Sequence, residues 1–530
     1  MTVSIADAIA AELGNHGVEH VFGLPGGESV ELVAALERVG IQFVLARHEA
    51  RAAWMADAYG RIGRRIGVCL STLGPGAANL ASGLAHCFLD RSSVLAITSQ
   101  LPPSLLSRHS HQRLDLQRLF APVTKHSHSV SATDDVAGVV QQAIVRARAD
   151  RPGPVHLQLP ASVLQEPAVD GASASGKGWR PRPVSQQSLR EAAERLHRAA
   201  RPAVVVGLGF EPSAPYEQLL KLVTSLGAPV VVTPKAKGAI PEDHPQYAGV
   251  IGLKRPEPSL QLLHHADLIL ALGLDPVELL LPWEIEVPTL FAAEFANQDP
   301  PLSSDVDLIG DLTVTLEFLA REAYAPTEWL PEELVATRPT WPERQDVERQ
   351  GARPSQVVRA VREVLPKDGV ATCDVGAHKL LIGRLWPACT PNRFLISNGL
   401  STMGYALPAA IGAKVARPDL PVVCFIGDGG MGMVVSELET LSRMNLSVVV
   451  VVLADQAMSL IRLKQELVGY SPTGTLFAPM DWCRVAEGFG ARGVVARSAG
   501  EVETAIADGL EADGPTLVEV LIDASEYQSW

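Results

Sequence analysis

Residues 421–465 read PVVCFIGDGGMGMVVSELETLSRMNLSVVVVVLADQAMSLIRLKQ. Val422, Val423, Phe425 and Ile426 make a short apolar run of strand length. It stops at Gly427-Asp428-Gly429-Gly430, which reads as a loop with little side-chain bulk. From Val434 to Asn445, Val435, Leu438, Leu441 and Met444 recur at helical spacing. Leu446 to Leu453 is a second, strongly β-branched strand, and it ends at Ala454-Asp455. Strand, loop, helix and strand in this sequence form the crossover of a parallel sheet. Asp428 and Asp455 then stand at the ends of two parallel strands and converge at the carboxyl edge, where open α/β sheets bind ligands. The glycines leave backbone N–H groups free and a helix N-terminus follows, so anionic phosphate is favoured there. Two carboxylates beside a phosphate pocket suit Mg²⁺, which shares its shell with waters and substrate phosphates.

This unit resembles the GDG…N signature of the thiamine-diphosphate enzymes. Asp455 follows Asp428 by 27 residues, a spacing that fits the signature. The family ends it with Asn-Asn where this chain has Ala454-Asp455, and Asp keeps an oxygen ligand. The resemblance implies thiamine diphosphate as cofactor, with Gly427, Asp428, Gly429, Gly430, Asp455 and Met458 beside it. It also implies Mg²⁺ at Asp428, Asp455 and Ala457.

Elsewhere the composition is that of an ordinary globular enzyme. The 530 residues exceed a single core, and 47% hydrophobic with 20% charged residues is unexceptional. A net charge of −14 without a basic block argues against nucleic acid or an anionic membrane as partner. Apolar runs are strand-length, so no transmembrane helix is expected, and the N-terminus lacks the pattern of a signal peptide. Six scattered cysteines without CxxC read as reduced thiols of a cytoplasmic protein.

Alternating strands and helices run from the N-terminus to Pro160, as in a doubly wound α/β domain. The expected strands are His20–Leu24, Ile41–Ala46, Ile66–Ser71 and Ser93–Thr98. A Pro/Ser/Gly/Ala-rich linker spans Gln165–Gln187, and a second polar stretch spans about 325–354. The expected architecture is α/β with three doubly wound parallel-sheet domains. These are a pyrimidine-binding domain at 1–165, a central Rossmann-like domain at 188–325 and a diphosphate-binding domain at 350–530. No tandem repeat is visible in the sequence.

Further motifs extend the resemblance over all three domains. Glu49, after Arg47-His48, is expected at a strand end; a Glu at a helix start also serves as a simple dipole partner. In the family a Glu at this place hydrogen-bonds the pyrimidine ring nitrogen and starts proton removal from the cofactor, which makes Glu49 the expected catalytic acid–base. Leu24-Pro25-Gly26-Gly27 and Thr72-Leu73-Gly74-Pro75-Gly76 resemble the acetolactate synthase branch and imply Gly26, Thr72 and Gly74 at the active centre. Ser397–Gly404 is similar to the loop that grips the pyrimidine. There Ser401 offers its carbonyl and Met403 wedges between the cofactor rings. Asp374–His378 matches the diphosphate-side loop, with His378 a donor to phosphate.

Gln112 matches a glutamine at the reacting carbon, although the synthases carry Phe-Gln-Glu where this chain has His111-Gln112-Arg113. Lys464 stands where synthases preferring 2-oxobutyrate have Trp. Phe477–Trp482 resembles the catabolic, flavin-independent forms, and Leu272–Glu278 carries acids where the biosynthetic type has an Arg-containing flavin loop. FAD is therefore not expected.

The resemblance implies decarboxylation of a 2-oxo acid such as pyruvate, with carboligation to an acceptor. It further implies a homodimer or homotetramer whose subunits share active sites. A simple 2-oxoacid decarboxylase, another thiamine-dependent carboligase or lyase, a flavin-dependent oxidase and a non-catalytic cofactor-binding subunit are the alternatives.

Overall fold

The computed structural model describes residues 3–169, 179–211, 214–253, 257–298, 300–322, 327–342 and 351–529. Both expected linkers lie partly outside the described residues. Among those residues no helix is long and apolar enough to cross a membrane.

Three six-stranded sheets organise the chain, and their strands pair in parallel throughout. The first contains β1 (His20–Leu24), β2 (Gln42–Leu45), β3 (Gly67–Ser71), β4 (Val94–Gln100), β5 (His126–Ser129) and β6 (Val155–Pro160). Its order is β2-β1-β3-β4-β6-β5. The second contains β7 (Pro202–Val206), β8 (Val230–Val232), β9 (Tyr247–Val250), β10 (Leu268–Leu272), β11 (Thr289–Ala293) and β12 (Val306–Ile309). Its order, β9-β8-β7-β10-β11-β12, is that of dinucleotide-binding folds. The third contains β13 (Val370–Cys373), β14 (Phe394–Ile396), β15 (Val422–Gly427), β16 (Val448–Ala454), β17 (Arg492–Ala496) and β18 (Thr516–Leu521), ordered β14-β13-β15-β16-β18-β17. Counted within its own domain, this order repeats that of the first sheet. A repeat invisible in the sequence is thus plain in the topology.

The strand β16 explains why Val448–Leu453 is a continuous apolar run. It lies between β15 and β18 and is buried on both faces. Its register sets Gly427 opposite Leu453. Asp428 and Asp455 therefore leave the sheet together, one and two residues beyond the last pair.

Local expectations change at three places. Asp428 is not in a loop: the helix Asp428–Val434 starts on it, with Gly427 as its cap. The pattern at 434–445 is not one helix, because a second helix, Glu437–Arg443, follows a break at Val435-Ser436. The break turns Glu437 toward the first domain, where it accepts from the Arg47 amide at 3.1 Å and faces Arg51 at 3.5 Å. Glu49 does not end a strand: β2 stops at Leu45, and Glu49 opens the helix Glu49–Gly63, whose Ala50 amide donates to His48 Nδ1 at 3.2 Å.

That helix also joins the domains. It lies against the helix Ala406–Ala416, so close that a side chain at Gly412 would meet the Met55 carbonyl at 2.2 Å. One apolar cluster continues from Ala52, Met55 and Tyr59 through Tyr405 and Ala409 to Ile426 and Val450.

Candidate active site

The carboxyl edge of the third sheet surrounds one cavity. Its walls include His378, Ser401, Met403, Gly427, Asp428, Gly429, Gly430, Asp455, Ala457 and Met458. Ten residues singled out from sequence, drawn from four separate stretches of the chain, thus meet around one space. Gly430 is required by a close approach: a Cβ there would lie 2.0 Å from the Asp374 carboxylate.

Asp428 Oδ2 accepts from the Gln456 amide at 2.5 Å, and Oδ1 from the Gly429 amide at 2.8 Å. Asp455 accepts from Ser459 Oγ. Burial, and then the like charge of Asp455, push the Asp428 carboxyl up to about 6. Burial raises Asp455 as well. A buried and a half-buried carboxylate that repel each other form a donor set for a hard divalent cation, whose charge would reverse both shifts. Among the described residues no Lys or Arg lines the cavity to take that place.

Two buried polar atoms complete the fit. Among the described residues His378 Nε2 and the Tyr527 hydroxyl have no hydrogen-bond partner, and both residues line the cavity. Burial lowers His378 to about 4, so its ring is neutral at neutral pH. A neutral imidazole and a phenol can each donate to a phosphate oxygen. The residues present thus fit a metal-bound diphosphate. Sequence reasoning passed over Tyr527, since a lone Tyr near the end of a chain carries no motif.

Beside the cavity, Met403, Asp428 and Met458 also border an apolar cleft walled by Met433, Phe477, Met480, Trp482 and Leu521. Phe477 is held there by its amide, which donates to the Gln456 carbonyl at 2.8 Å.

The first sheet gathers the other predicted residues into a second group. Glu49 is buried and accepts from Asn79 Nδ2 at 3.0 Å. Gly76 leaves room for it, since a Cβ there would lie 3.0 Å from Glu49 Oε1. Thr72 Oγ1 donates to Glu28 at 3.0 Å and stands against Gly26. Gly74, at φ +59, admits Gln112, whose Cβ would be 2.8 Å from a side chain there. Asn79 lies three residues beyond the glycine loop Thr72–Gly76, and its contact with Glu49 appears only in three dimensions. Glu49, Gln112, Gly26, Thr72 and Gly74 line neither the cavity nor the cleft of their own chain. The single chain therefore does not assemble the predicted site in one place.

Three stretches match the thiamine pyrophosphate enzymes: the N-terminal TPP binding domain over residues 3–119, the central domain over 189–317 and the C-terminal TPP binding domain over 374–520. The chain is 32% identical to the acetolactate synthase of Bacillus subtilis (strain 168), over 98% of this chain and 93% of that protein. It is 31% identical to the acetolactate synthase isozyme 3 large subunit of Escherichia coli (strain K12), over 99% and 96%. It is 30% identical to the catabolic acetolactate synthase of Raoultella terrigena, over 98% and 95%. The chain belongs to the thiamine pyrophosphate enzyme family.

Within this thiamine-dependent enzyme a buried charge network fixes the loop that carries Ser401 and Met403. Asp374 accepts from the Gly404 and Tyr405 amides at 2.9 and 3.0 Å, and burial raises it to about 6. Asp90, from the first domain, accepts from the Asn398 amide at 3.1 Å and from Lys235 of the central domain at 2.6 Å. His86 stands between Asp57 and Asp90, 3.1 Å from each. Burial alone would lower His86, and Asp90 and Asp57 outweigh it, so the imidazole is raised. All three domains thus hold one loop of the cavity wall.

Proposed function

We propose that this chain decarboxylates a 2-oxo acid such as pyruvate and joins the remaining two-carbon unit to an acceptor, giving 2-acetolactate or a close relative. The observation that carries the reading is the cavity at the ends of β15 and β16, with its paired carboxylates and two unpartnered donors. Its near-full-length relatives, which bear the name acetolactate synthase, support it. Thiamine diphosphate, when bound, supplies the carbon nucleophile and the electron sink for decarboxylation.

The chain's own groups divide the remaining work. Asp428, Asp455 and the Ala457 carbonyl hold Mg²⁺. His378 and Tyr527 donate to phosphate, and Met403 and Ser401 shape the ring end. Glu49 holds and returns a proton at the pyrimidine nitrogen. Gln112 orients the reacting carbonyl, with Gly26, Thr72 and Gly74 forming the surrounding wall. The apolar cleft beside Met458 and Phe477 keeps water from the reacting carbon.

We further propose that two copies share each site. The groups on the first sheet and the cavity on the third do not meet within one chain. Each also carries exposed apolar side chains, Met433, Leu476, Phe477 and Met480 by the cavity and Val30, Leu105 and Leu114 on the first domain. The same reading places the enzyme in the cytoplasm, which suits six unpaired cysteines.

Flavin has no role in this proposal. At the switch point of the central sheet, Glu278 takes the Leu208 amide at 2.6 Å, a backbone donor that a pyrophosphate would need. Asp275 faces Arg91 at 2.8 Å and Arg151 at 3.6 Å. The acids thus take the cations and the amide that a dinucleotide would use.

Purified protein given pyruvate, Mg²⁺ and thiamine diphosphate tests the reading by mass spectrometry of the products. Acetolactate that vanishes when the cofactor is withheld is the expected result. Acetaldehyde alone would favour the simple decarboxylase, turnover without the cofactor would overturn the proposal, and stoichiometric visible flavin absorption would overturn its flavin-free form.

A further inference from the structure

Ser401 occupies a position that L side chains avoid. Its φ is +52, in the left-handed region that usually calls for glycine. It nonetheless lines the cavity. Such strain persists only where surrounding groups over-determine it, and here two contacts do so. Ser401 Oγ donates to the Asn398 carbonyl at 3.0 Å. With its own proton directed there, the hydroxyl accepts from Lys379 Nζ, also at 3.0 Å.

Lys379 is unusual in its own right. It sits in the helix Ala377–Leu385, directly after His378, and is only 5% exposed. Among the described residues no carboxylate lies within ion-pair distance of it. Long ammonium side chains are rarely buried without such a pair, so the Ser401 hydroxyl is the contact around which this amine is placed.

We infer that Lys379 is a positioning residue for the cofactor, whose hydrogen bond to Ser401 holds the Ser401–Met403 wall in the shape that receives the pyrimidine end. The chain Lys379 Nζ–H, Ser401 Oγ–H, Asn398 carbonyl runs in one donor sense, which strengthens each link. Asn398 is itself fixed from the other two domains, by Asp90 at its amide and by the Glu278 carbonyl, 2.8 Å from its side-chain nitrogen. Lys379 is the anchor from the third. This inference rests on reading the cavity as the thiamine diphosphate site.

The ammonium has a distinctive signature. Burial lowers Lys379 to about 8. The groups facing it are Asp90 from the first domain, Lys235 from the central domain, and Cys373, Asp374 and His378 from its own. The protonated donor is present below that value and is lost as pH rises through it.

Calorimetry of thiamine diphosphate binding, with Mg²⁺ and from pH 6.5 to 9, tests this on the wild type, Lys379→Met, Ser401→Ala and the double variant. Each single change is expected to raise Kd by about tenfold, the effect of one charge-assisted hydrogen bond. The double variant is expected to be no worse than the weaker single, because both remove the same link. Wild-type affinity should fall above pH 8 and the Lys379→Met profile should flatten. Wild-type affinity and pH profile in Lys379→Met, or fully multiplicative losses in the double variant, would overturn the inference while leaving the cofactor reading intact. Should Lys379→Met fail to fold, unchanged affinity in Ser401→Ala overturns it equally. A wild-type protein that binds no thiamine diphosphate would refute the underlying reading instead.

Discussion

Mixing two inactive variants distinguishes a shared site from a self-contained one. Glu49→Gln removes the proposed proton-handling carboxyl from the first-sheet group, and Asp428→Ala removes a proposed metal ligand from the third-sheet cavity. Glu49 does not line that cavity in its own chain. If a site combines Glu49 of one subunit with Asp428 of its partner, a mixed dimer contains one site with both groups lost and one with both intact. After random exchange from equal amounts, half the dimers are mixed and half of their sites work. The expected recovery is about one quarter of wild-type activity, whether dimers stand alone or pair into tetramers. The assay is thiamine-dependent consumption of pyruvate, followed as the two proteins are mixed. Native mass spectrometry of the mass-shifted hybrids establishes that exchange has occurred. Hybrids formed in the expected proportion with activity no higher than either parent would refute the shared site.

Three further outcomes follow from the same geometry. Glu49→Gln should bind cofactor nearly normally but slow hydrogen–deuterium exchange at the thiazolium C2 by at least about a hundredfold; exchange at the wild-type rate would remove Glu49 from the chemistry. Asp428→Ala should leave the unliganded protein as stable as wild type or more so, since a repelling buried carboxylate is gone, yet abolish the stabilisation of about 2.7 kcal/mol that Mg²⁺ and cofactor at a hundred times Kd confer; an undiminished thermal shift would contradict the metal assignment. His86→Gln should cost about 3–5 kcal/mol where the buried pairs are intact. The raised imidazolium stabilises fully below its ordinary 6.5 and is lost as pH rises through the folded value, whereas Asp57 and Asp90, held low by Arg61 and Lys235 against the effect of burial, contribute above 3.8. The wild-type advantage in calorimetric melting should therefore be greatest between about pH 4 and 6.5 and shrink toward alkaline pH, and an advantage that stays undiminished at alkaline pH would exclude the imidazolium.

In the third sheet β15 and β16 were legible because they are buried on both faces and end abruptly at glycine and aspartate, whereas the other four strands were not read from the sequence. Val448–Leu453 can hardly be anything but an interior strand, and Asp428 with Asp455 then follow from parallel register. Weaker strands escaped for an equally physical reason. β9 and β12 are short edge strands, and β12 alternates buried and exposed residues over only four positions. The break at Val435-Ser436 was hidden because apolar spacing runs through it unchanged. Periodicity reports which face is buried, not whether the backbone stays helical. Glu49 was found through resemblance, but its seat at a helix start was not, since β2 is four residues long and its end is poorly marked. Lys379 and Tyr527 could not be found at all: the partner of Lys379, Ser401, lies in a separate loop, Tyr527 is marked only by its place in the cavity wall, and neither stands in a motif.

The repeated strand order of the first and third sheets gives the site its logic. In both, the segments that follow the first three strands of the sheet carry the proposed chemistry, and corresponding strands supply opposite kinds of group. After β1 and β3 come Gly26, Thr72 and Gly74, and after β2 comes Glu49. After the corresponding β13, β15 and β14 come His378, Asp428 and Ser401. In the proposed site one edge offers a carboxyl able to trade a proton among small walls, and the other offers metal ligands and phosphate donors. An elongated cofactor with an anionic end and a basic ring requires both edges at once. A single sheet edge cannot bind such a molecule from two ends, but two like edges facing each other can. The chain's own first and third domains are joined through the helices Glu49–Gly63 and Ala406–Ala416, with their site groups apart, so in the proposed shared site the facing edge comes from another copy. Dimerisation in this reading completes the active site, and dilution below the dimer's dissociation constant should cost activity before it costs folded structure.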